Sequence, residues 1–417
     1  MALSTSFMVG YVVVCFLTSA VVGVLGTGTA LTPDETITPE WRTDLRPAVG
    51  PDPVRLIVGN RPEIQGKPQS SLWFIDNNKV VATFVTRENE ARPAVSRRNS
   101  LDSSLPLRLR AILLDANTGL IAATVTWPTE SRGSRIVGVH DGKFVTLRGS
   151  ELTLYAGDFS ALRETRLPPL LGPLGWLPHA SPTGKNILFS SAELRKGSWI
   201  WVETDTLKTL SSWEDIPSGI LTISDENIAT STCWWGQECR STIVTANDAS
   251  ACIAVGPKCE PKIQIRGLST DWKTIAVGEM YLGPQFVNDD LIFLPGNTIK
   301  LIRTDGTVLF EETRGRGSWG CWGSRALSSA DGRRFVIPSC QVKGASATLD
   351  IGGHSVLSQY LIFDVSPQIR MQALDVKGAK IQDDIDFAIS PDGSKIAILS
   401  NEFVQVFQLP GVTGNTP

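Results

Sequence analysis

Histidine is nearly absent, at 3 of 417 residues, which is too few for a multi-histidine metal centre. There is no basic excess either. Lys+Arg number 39 against 42 Asp+Glu, a net charge of -3, whereas an extended nucleic-acid groove needs surplus cations. No P-loop, G-x-G-x-x-G, H-E-x-x-H or complete EF-hand loop occurs, and Gly353-His-Ser-Val-Leu357 is not a G-x-S-x-G elbow. His140 and His179 fall beside predicted turns and His354 in a predicted loop, so no histidine pair stands out. The acids of Asp383-Asp-Ile-Asp386 read as solvated rather than as a calcium site. No catalytic residue, metal ligand or cofactor is therefore assigned. There is no N-x-Ser/Thr sequon, which leans toward a bacterial secretory route.

Apolar residues, by contrast, make up 42% of the chain, enough for a substantial core. The first charged side chain is Asp34, and Phe7 to Leu25 is almost wholly apolar. This stretch, with the small residues that follow, reads as an export signal cleaved near Ala30, with Ala20 as a second candidate. As a helix, Phe7–Leu25 would span about 28 Å, so an uncleaved anchor is the alternative. Both place the body of the protein outside the cytoplasm, periplasmic or extracellular. Residues 31–53 read as a linker, 54–410 as one domain and 411–417 as a tail.

The 37 Gly and 25 Pro favour many short strands. Turns preceding Val/Ile/Leu/Phe runs recur at Ile75-Asp-Asn-Asn78, Val139-His-Asp-Gly142, Ser181-Pro-Thr-Gly184, Ser224-Asp-Glu-Asn227, Val287-Asn-Asp-Asp290, Ser329-Ala-Asp-Gly332 and Ser390-Pro-Asp-Gly393. Their starts lie 64, 42, 43, 63, 42 and 61 residues apart. A period of about 40–45 with four strands per unit is that of a β-propeller blade. A second turn series, including Asp115-Ala-Asn-Thr-Gly119, Thr204-Asp-Thr206 and Thr304-Asp-Gly306, separates strands c and d. The third unit reads as Asn186–Ser190, Trp199–Glu203 and Lys208–Ser212 for strands b, c and d. The last unit runs out of chain before strand d. The expectation is an all-β, seven-bladed propeller of four-stranded antiparallel blades, with Val54-Arg-Leu-Ile-Val58 supplying the missing outer strand, since an open edge invites aggregation.

Leu113-Leu-Asp-Ala-Asn-Thr-Gly119 and Ile389-Ser-Pro-Asp-Gly393 resemble the V-x-D-x-x-T-G and S-P-D-G signatures of YVTN-type and WD-repeat-like bacterial propellers. The resemblance covers most of 71–410 as repeat architecture and implies a fold, not an activity. The Trp-Asp dipeptide closing strand c is missing, with Asp115, Glu203 and Asp364 near the matching positions.

Three intervals are long, and each lengthening is read as an enlarged b–c connection, over Arg87–Pro106, Cys233–Pro261 and Ser339–Ser358. All three would then decorate one face, where loops on a rigid scaffold carry function. The crossover Arg314–Gly323 joins that face. Trp234, Trp235, Trp319 and Trp322 would there offer a stacking surface for a peptide or carbohydrate; tryptophan packed beside cystines in a plain core is the alternative. The chain is accordingly read as an exported, monomeric, non-catalytic module binding a protein or glycan, without a nucleic-acid partner and at a membrane only if the leader is retained. A lactonase- or hydrolase-like propeller enzyme with a divalent metal in the channel is the alternative.

Seven cysteines are present, and removing the leader with Cys15 leaves six, an even set that reads as disulfides in an exported chain. Their spacings do not match the C-x₂₋₄-C pairs of zinc sites. Cys321 and Cys340 are expected to pair, closing a loop of about 20 residues worth roughly 3 kcal/mol in the chain-entropy model. Cys233, Cys239, Cys252 and Cys259 are expected to pair among themselves, either as neighbours or nested. Non-reducing peptide mapping should recover no link between the two groups. A single cross-link between them overturns the pattern.

Overall fold

The computed structural model describes residues 35–49, 55–56, 67–68, 70–87, 106–170, 176–191, 196–217, 220–232, 238–245, 263–269, 285–294, 298–313, 318–320, 326–343, 354–365, 369–376, 385–400 and 402–411. The N-terminal part carries β1 (Glu35–Ile37), β2 (Trp41–Asp44), the one-turn helix α1 (Arg46–Val49), β3 (Arg55–Leu56) and β4 (Lys67–Pro68). Blade 1 follows with β5 (Ser70–Asp76), β6 (Lys79–Arg87), β7 (Leu107–Asp115) and β8 (Ile121–Thr129). Blade 2 is β9 (Arg135–His140), β10 (Lys143–Arg148), β11 (Glu151–Ala156) and β12 (Ala161–Arg166). Blade 3 is β13 (Trp176–Ala180), β14 (Asn186–Ser191), β15 (Lys196–Glu203) and β16 (Thr209–Pro217), close to the strands read from the sequence. Blade 4 is β17 (Ile220–Ile223), β18 (Asn227–Thr232), β19 (Glu238–Thr245) and β20 (Ile263–Ser269). Blade 5 is β21 (Gln285–Phe286), β22 (Leu291–Leu294), β23 (Thr298–Arg303) and β24 (Val308–Thr313).

Next comes a six-stranded sheet. It contains β25 (Ser318–Gly320), β26 (Leu327–Ser328), β27 (Arg334–Lys343), β28 (His354–Asp364) and β29 (Arg370–Val376), with β1 added in parallel along β29. Blade 6 is β30 (Ile385–Ile389), β31 (Lys395–Ser400) and β32 (Phe403–Gln408), with β2 paired antiparallel to β32. First strands of successive sheets pack side by side, and β30 of blade 6 lies against β5 of blade 1.

Strand composition follows position. The middle strands β6, β10, β11, β14 and β31 are buried along nearly their whole length, because neighbouring sheets cover both faces. They accordingly read as continuous apolar runs such as Lys79-Val-Val-Ala-Thr-Phe-Val85. The outer β8 alternates between exposed and half-buried residues, and β12 is exposed nearly throughout. Cores form where sheets face each other. Leu72, Phe74 and Phe84 of blade 1 meet Ala397, Val404 and Val406 of blade 6, and Phe293 of blade 5 meets Phe335 and Phe363 of the six-stranded sheet. Phe335 and Phe363 stack with centroids 4.5 Å apart.

The structure corrects the expected fold on two counts. Among the described residues it contains six four-stranded antiparallel blades, not seven, and β3 and β4 form a separate two-stranded pair; a further sheet has six strands, one of them parallel. Its long strand β27 pairs with β25 at one end and with β26 at the other, so its inner strand is split, and β1 arrives from the far N-terminus. Turn spacing counts units but is blind to strands added from distant chain. The second correction concerns the outer strand of the last blade. Val54–Val58 does not provide it. Arg55 and Leu56 pair with Lys67 and Pro68, and Trp41–Asp44 pairs with Val406–Phe403.

Trp41 explains this choice. Its Nε1 donates to the Ala116 carbonyl at 3.0 Å, and Thr43 Oγ1 donates to the Gly119 carbonyl at 2.7 Å, so β2 grips the c–d turn of blade 1 while pairing with blade 6. Gly119 has φ +72°, and a Cβ there would sit 2.6 Å from the Trp41 ring; both facts demand glycine. Beyond β2, Leu45 and Val49 are buried in the core between blades 1 and 6, and Arg110 donates to the carbonyls of Ala48 and Val49 at 2.6 and 3.3 Å. Trp41→Ala should therefore cost about 2–3 kcal/mol. A chain beginning at Gly50, which keeps β3 and β4, should melt well below one beginning at Leu31. Equal melting temperatures in calorimetry would overturn the role given to residues 35–49.

Candidate functional site

The end of the molecule bearing the a–b and c–d turns is built from serine and aspartate. Ser390 Oγ accepts the Lys395 N–H at 2.9 Å and donates to Asp392 at 2.7 Å, while the Gly393 N–H closes the turn on the Ser390 carbonyl at 2.8 Å. Ser329 repeats the pattern with Arg334, Asp331 and Gly332, and Ser181 and Ser224 accept the N–H groups of Asn186 and Asn227. All four serines are buried. A hydroxyl that bonds its own turn in this way is satisfied without secondary structure. In the turn between β13 and β14, a Cβ on Gly184 would lie 1.7 Å from the Val139 carbonyl oxygen, so this turn touches blade 2 directly.

These turns also bond to one another across blades. Thr183 Oγ1 donates to the Asp225 carboxylate at 2.7 and 2.8 Å, and Asn186 Nδ2 donates to the Asp225 carbonyl at 2.9 Å. Asp289 accepts the Glu226 N–H at 3.0 Å, the Pro391 carbonyl accepts the Ala330 N–H at 2.7 Å, and Asn77 Oδ1 accepts the Asp392 N–H at 3.0 Å. His140 Nδ1 lies 3.1 Å from the Thr183 carbonyl, with Asp205 3.7 Å from Nε2 and 3.2 Å from Lys143 Nζ. The inner strands form a second belt. Asp386 Oδ2 accepts the Leu72 N–H at 2.7 Å, Thr222 accepts the Phe286 N–H at 3.4 Å, and Gln285 Oε1 accepts the Ala326 N–H.

The electrostatics are those of structural turns. Backbone N–H groups of Asn117 and Thr118 hold the Asp115 carboxyl below its usual range, and the Ser160 hydroxyl and N–H and the Thr307 N–H do so for Asp158 and Asp305. Burial alone would raise Asp392, but hydrogen bonds from Ser390 and Ser394 outweigh it and leave its carboxyl lowered. Burial, with the Asp386 charge, pushes the Tyr360 phenol up; its hydroxyl has no hydrogen-bond partner among the described residues. Among those residues no group of three His, Cys, Asp or Glu could hold a metal.

Most residues singled out from the sequence lie outside the described ones: Trp234, Trp235, Trp322, Cys233, Cys252, Cys259, Cys321, Asp383 and Asp384. Trp319 is in β25, where it pairs in register with Cys340 of β27. Cys239 is in β19 and His354 opens β28. His179 Nε2 lies 3.0 Å from Ser190 Oγ, and Asp386 serves the inner belt.

The shared-face reading is corrected by the strand boundaries. Residues 88–106 and 344–353 are b–c connections, but β19 occupies 238–245, so 246–262 joins strand c to strand d of blade 4 and leaves from the opposite end. A β-rich stretch of Ser, Thr, Ile and Val had been absorbed into a supposed loop. The third connection is also shorter than read, since β27 and β28 extend into it.

The sequence reading missed Arg334. It is buried, with Nε 2.6 Å and Nη2 3.1 Å from the Asp364 carboxylate, and its Nη1 donates to the Gly393 carbonyl at 2.9 Å. Only its place two residues after the turn glycine Gly332, in register with Asp364 at the end of strand c, could have signalled this.

No protein-family model and no curated protein matches the chain. Solved structures similar to it include the C-terminal WD40 domain of Sif2, at 12% identity and TM-score 0.42 over 91% of this chain and 99% of that one. The Neurospora crassa Pan2 WD40 domain gives 10% and 0.47 over 90% and 98%. BamB from Moraxella catarrhalis gives 10% and 0.35 over 91% and 100%. The likeness is one of fold alone.

Removing one partner of a buried ion pair strands the other. Arg334→Met should therefore destabilise by about 3–5 kcal/mol, whereas Tyr360→Phe, which deletes an unpartnered buried hydroxyl, should leave stability equal or higher. Denaturant unfolding of both variants checks this, and a neutral Arg334→Met would refute it.

Proposed function

We propose that this chain is an exported β-propeller acting as a non-catalytic module that binds another protein, through the end of the scaffold bearing the b–c connections. The observation that supports this reading is the β27–β28 hairpin. Its strands run for 10 and 11 residues, against 4 and 6 for β22 and β23 of the preceding blade and 6 each for β31 and β32 of the next. At about 3.3 Å per residue the excess is a projection of some 13 Å. β25 broadens it into a three-stranded platform carrying Trp319. A pre-formed β platform suits recognition, because less ordering entropy is lost on binding than for an irregular loop. Function as a binder is also in keeping with polar side chains spent on holding blades together. A glycan is the alternative ligand, through the same tryptophans. Export rests on the leader, with Leu31 as the expected mature N-terminus.

A variant with Trp234, Trp235, Trp319 and Trp322 all changed to Ala tests the reading. Immobilised exported proteins and glycans are screened first with the parent chain. The variant should bind the selected ligand at least tenfold more weakly, the cost of losing anchor residues, with an unchanged melting temperature. Unaltered affinity would place binding elsewhere.

A further inference from the structure

The outer strands differ sharply in how they are protected. β29 and β32 are covered by β1 and β2. β12 carries Arg163, Glu164 and Arg166, β16 carries Glu214 and Asp215, β20 carries Arg266, and β24 carries Glu311 and Glu312. Covering and charge are the usual ways of keeping a sheet edge from pairing with another chain. β8 has neither. Its nine residues, Ile121-Ala-Ala-Thr-Val-Thr-Trp-Pro-Thr129, include no charge, and it is as long as any outer strand described. Leu120 beside it is 70% exposed and Ile121 42%.

The edge is also rigid. Trp127 packs on Tyr155 and Phe159 of blade 2, with centroids 5.0 and 5.8 Å away, and β8 pairs with β7 from Leu107↔Thr129 to Leu114↔Ile121. Pro128 fixes which backbone groups face outward. It pairs with Arg108 and has no N–H to give β7, so its position is one whose amide side faces the open edge. By the antiparallel alternation, the N–H and C=O of Thr126 and Thr124 face the same way.

We propose that β8 is a self-association edge, at which two copies of this chain pair antiparallel about a two-fold axis at Val125. The strand is self-complementary about that residue. Thr124 of one copy then faces Thr126 of the other, exchanging both backbone hydrogen bonds, and the symmetry repeats the exchange on the other side of the axis. Exposed Thr124 and Thr126 form a cross-strand pair of a kind that stabilises sheets. No charge on either strand opposes the approach. Pairing of like surfaces through a two-fold axis is the commonest route to a closed dimer. That strands can be added to this scaffold is visible in β1 and β2, which extend two other sheets.

Sedimentation equilibrium of the full mature chain across the micromolar range tests the proposal. The expected result is a monomer–dimer equilibrium. Thr126→Pro removes an outward N–H without touching the β7 ladder, and Thr124→Lys puts charge on the edge; each should weaken dimerisation about tenfold or more, since symmetry doubles every lost bond. Melting temperatures measured well below the dimer's dissociation constant should match the parent chain. A monomer at all concentrations, a dimer indifferent to both substitutions, or an edge taken up instead by a peptide of another protein would overturn it.

Discussion

The fourth strand of the last blade decides much about this molecule. After β32 the described chain adds only Leu409–Gly411, leaving β32 as the edge of a three-stranded sheet. Trp41–Asp44 covers that edge from the other end of the sequence. In doing so it places Trp41 against the Gly119 turn and Leu45 and Val49 in the core between blades 1 and 6. One segment of about ten residues thus satisfies a sheet edge, fills a seam and ties early sequence to late. The β2–β32 pairing joins residues hundreds of positions apart and so carries a loop-closure cost that pairing within one blade does not.

Between sheets, stability comes from two sources that alternate with depth. Apolar side chains of the middle strands fill the seams. At the turn end and along the inner strands, polar groups bond to the neighbouring sheet: Thr183 to Asp225, Glu226 to Asp289, Asp392 to Asn77, Asp386 to Leu72. Pairing matters at these positions, since a buried polar group left unpaired would cost more than the bond contributes. The buried Arg334–Asp364 pair is the extreme case, its third bond to Gly393 reaching blade 6. Such bonds have fixed geometry, and they set the angle between sheets where dispersion contacts alone would let them slide.

The same economy shapes the surface. Carboxylates that sequence motifs would present as catalytic or metal-binding candidates are hydrogen-bonded within turns, which lowers the acids of Asp115, Asp158 and Asp305 and keeps them ionised as acceptors. What distinguishes one part of the rim from another is the length of hairpins and the chemistry of outer strands. The long β27–β28 hairpin and the uncharged β8 are the two places where the rim departs most from its neighbours.

The sequence by itself determined the repeat. Ser-x-Asp-Gly and Asp-x-x-Thr-Gly turns are legible because each is closed by its own side chains within about five residues, and blade 3 could be read strand by strand. The middle strands are continuous apolar runs because both their faces are buried, a pattern the sequence carries locally. The tertiary structure alone decided that six sheets are four-stranded while one has six strands, that β2 and not Val54–Val58 edges the last blade, and that 246–262 leaves blade 4 from the opposite end. Arg334 was illegible for the same reason: its partner is 30 residues away and its third contact 59. Strand pairing and buried ion pairs join residues remote in sequence, and neither leaves a local pattern, because backbone hydrogen bonds are indifferent to which residue supplies them.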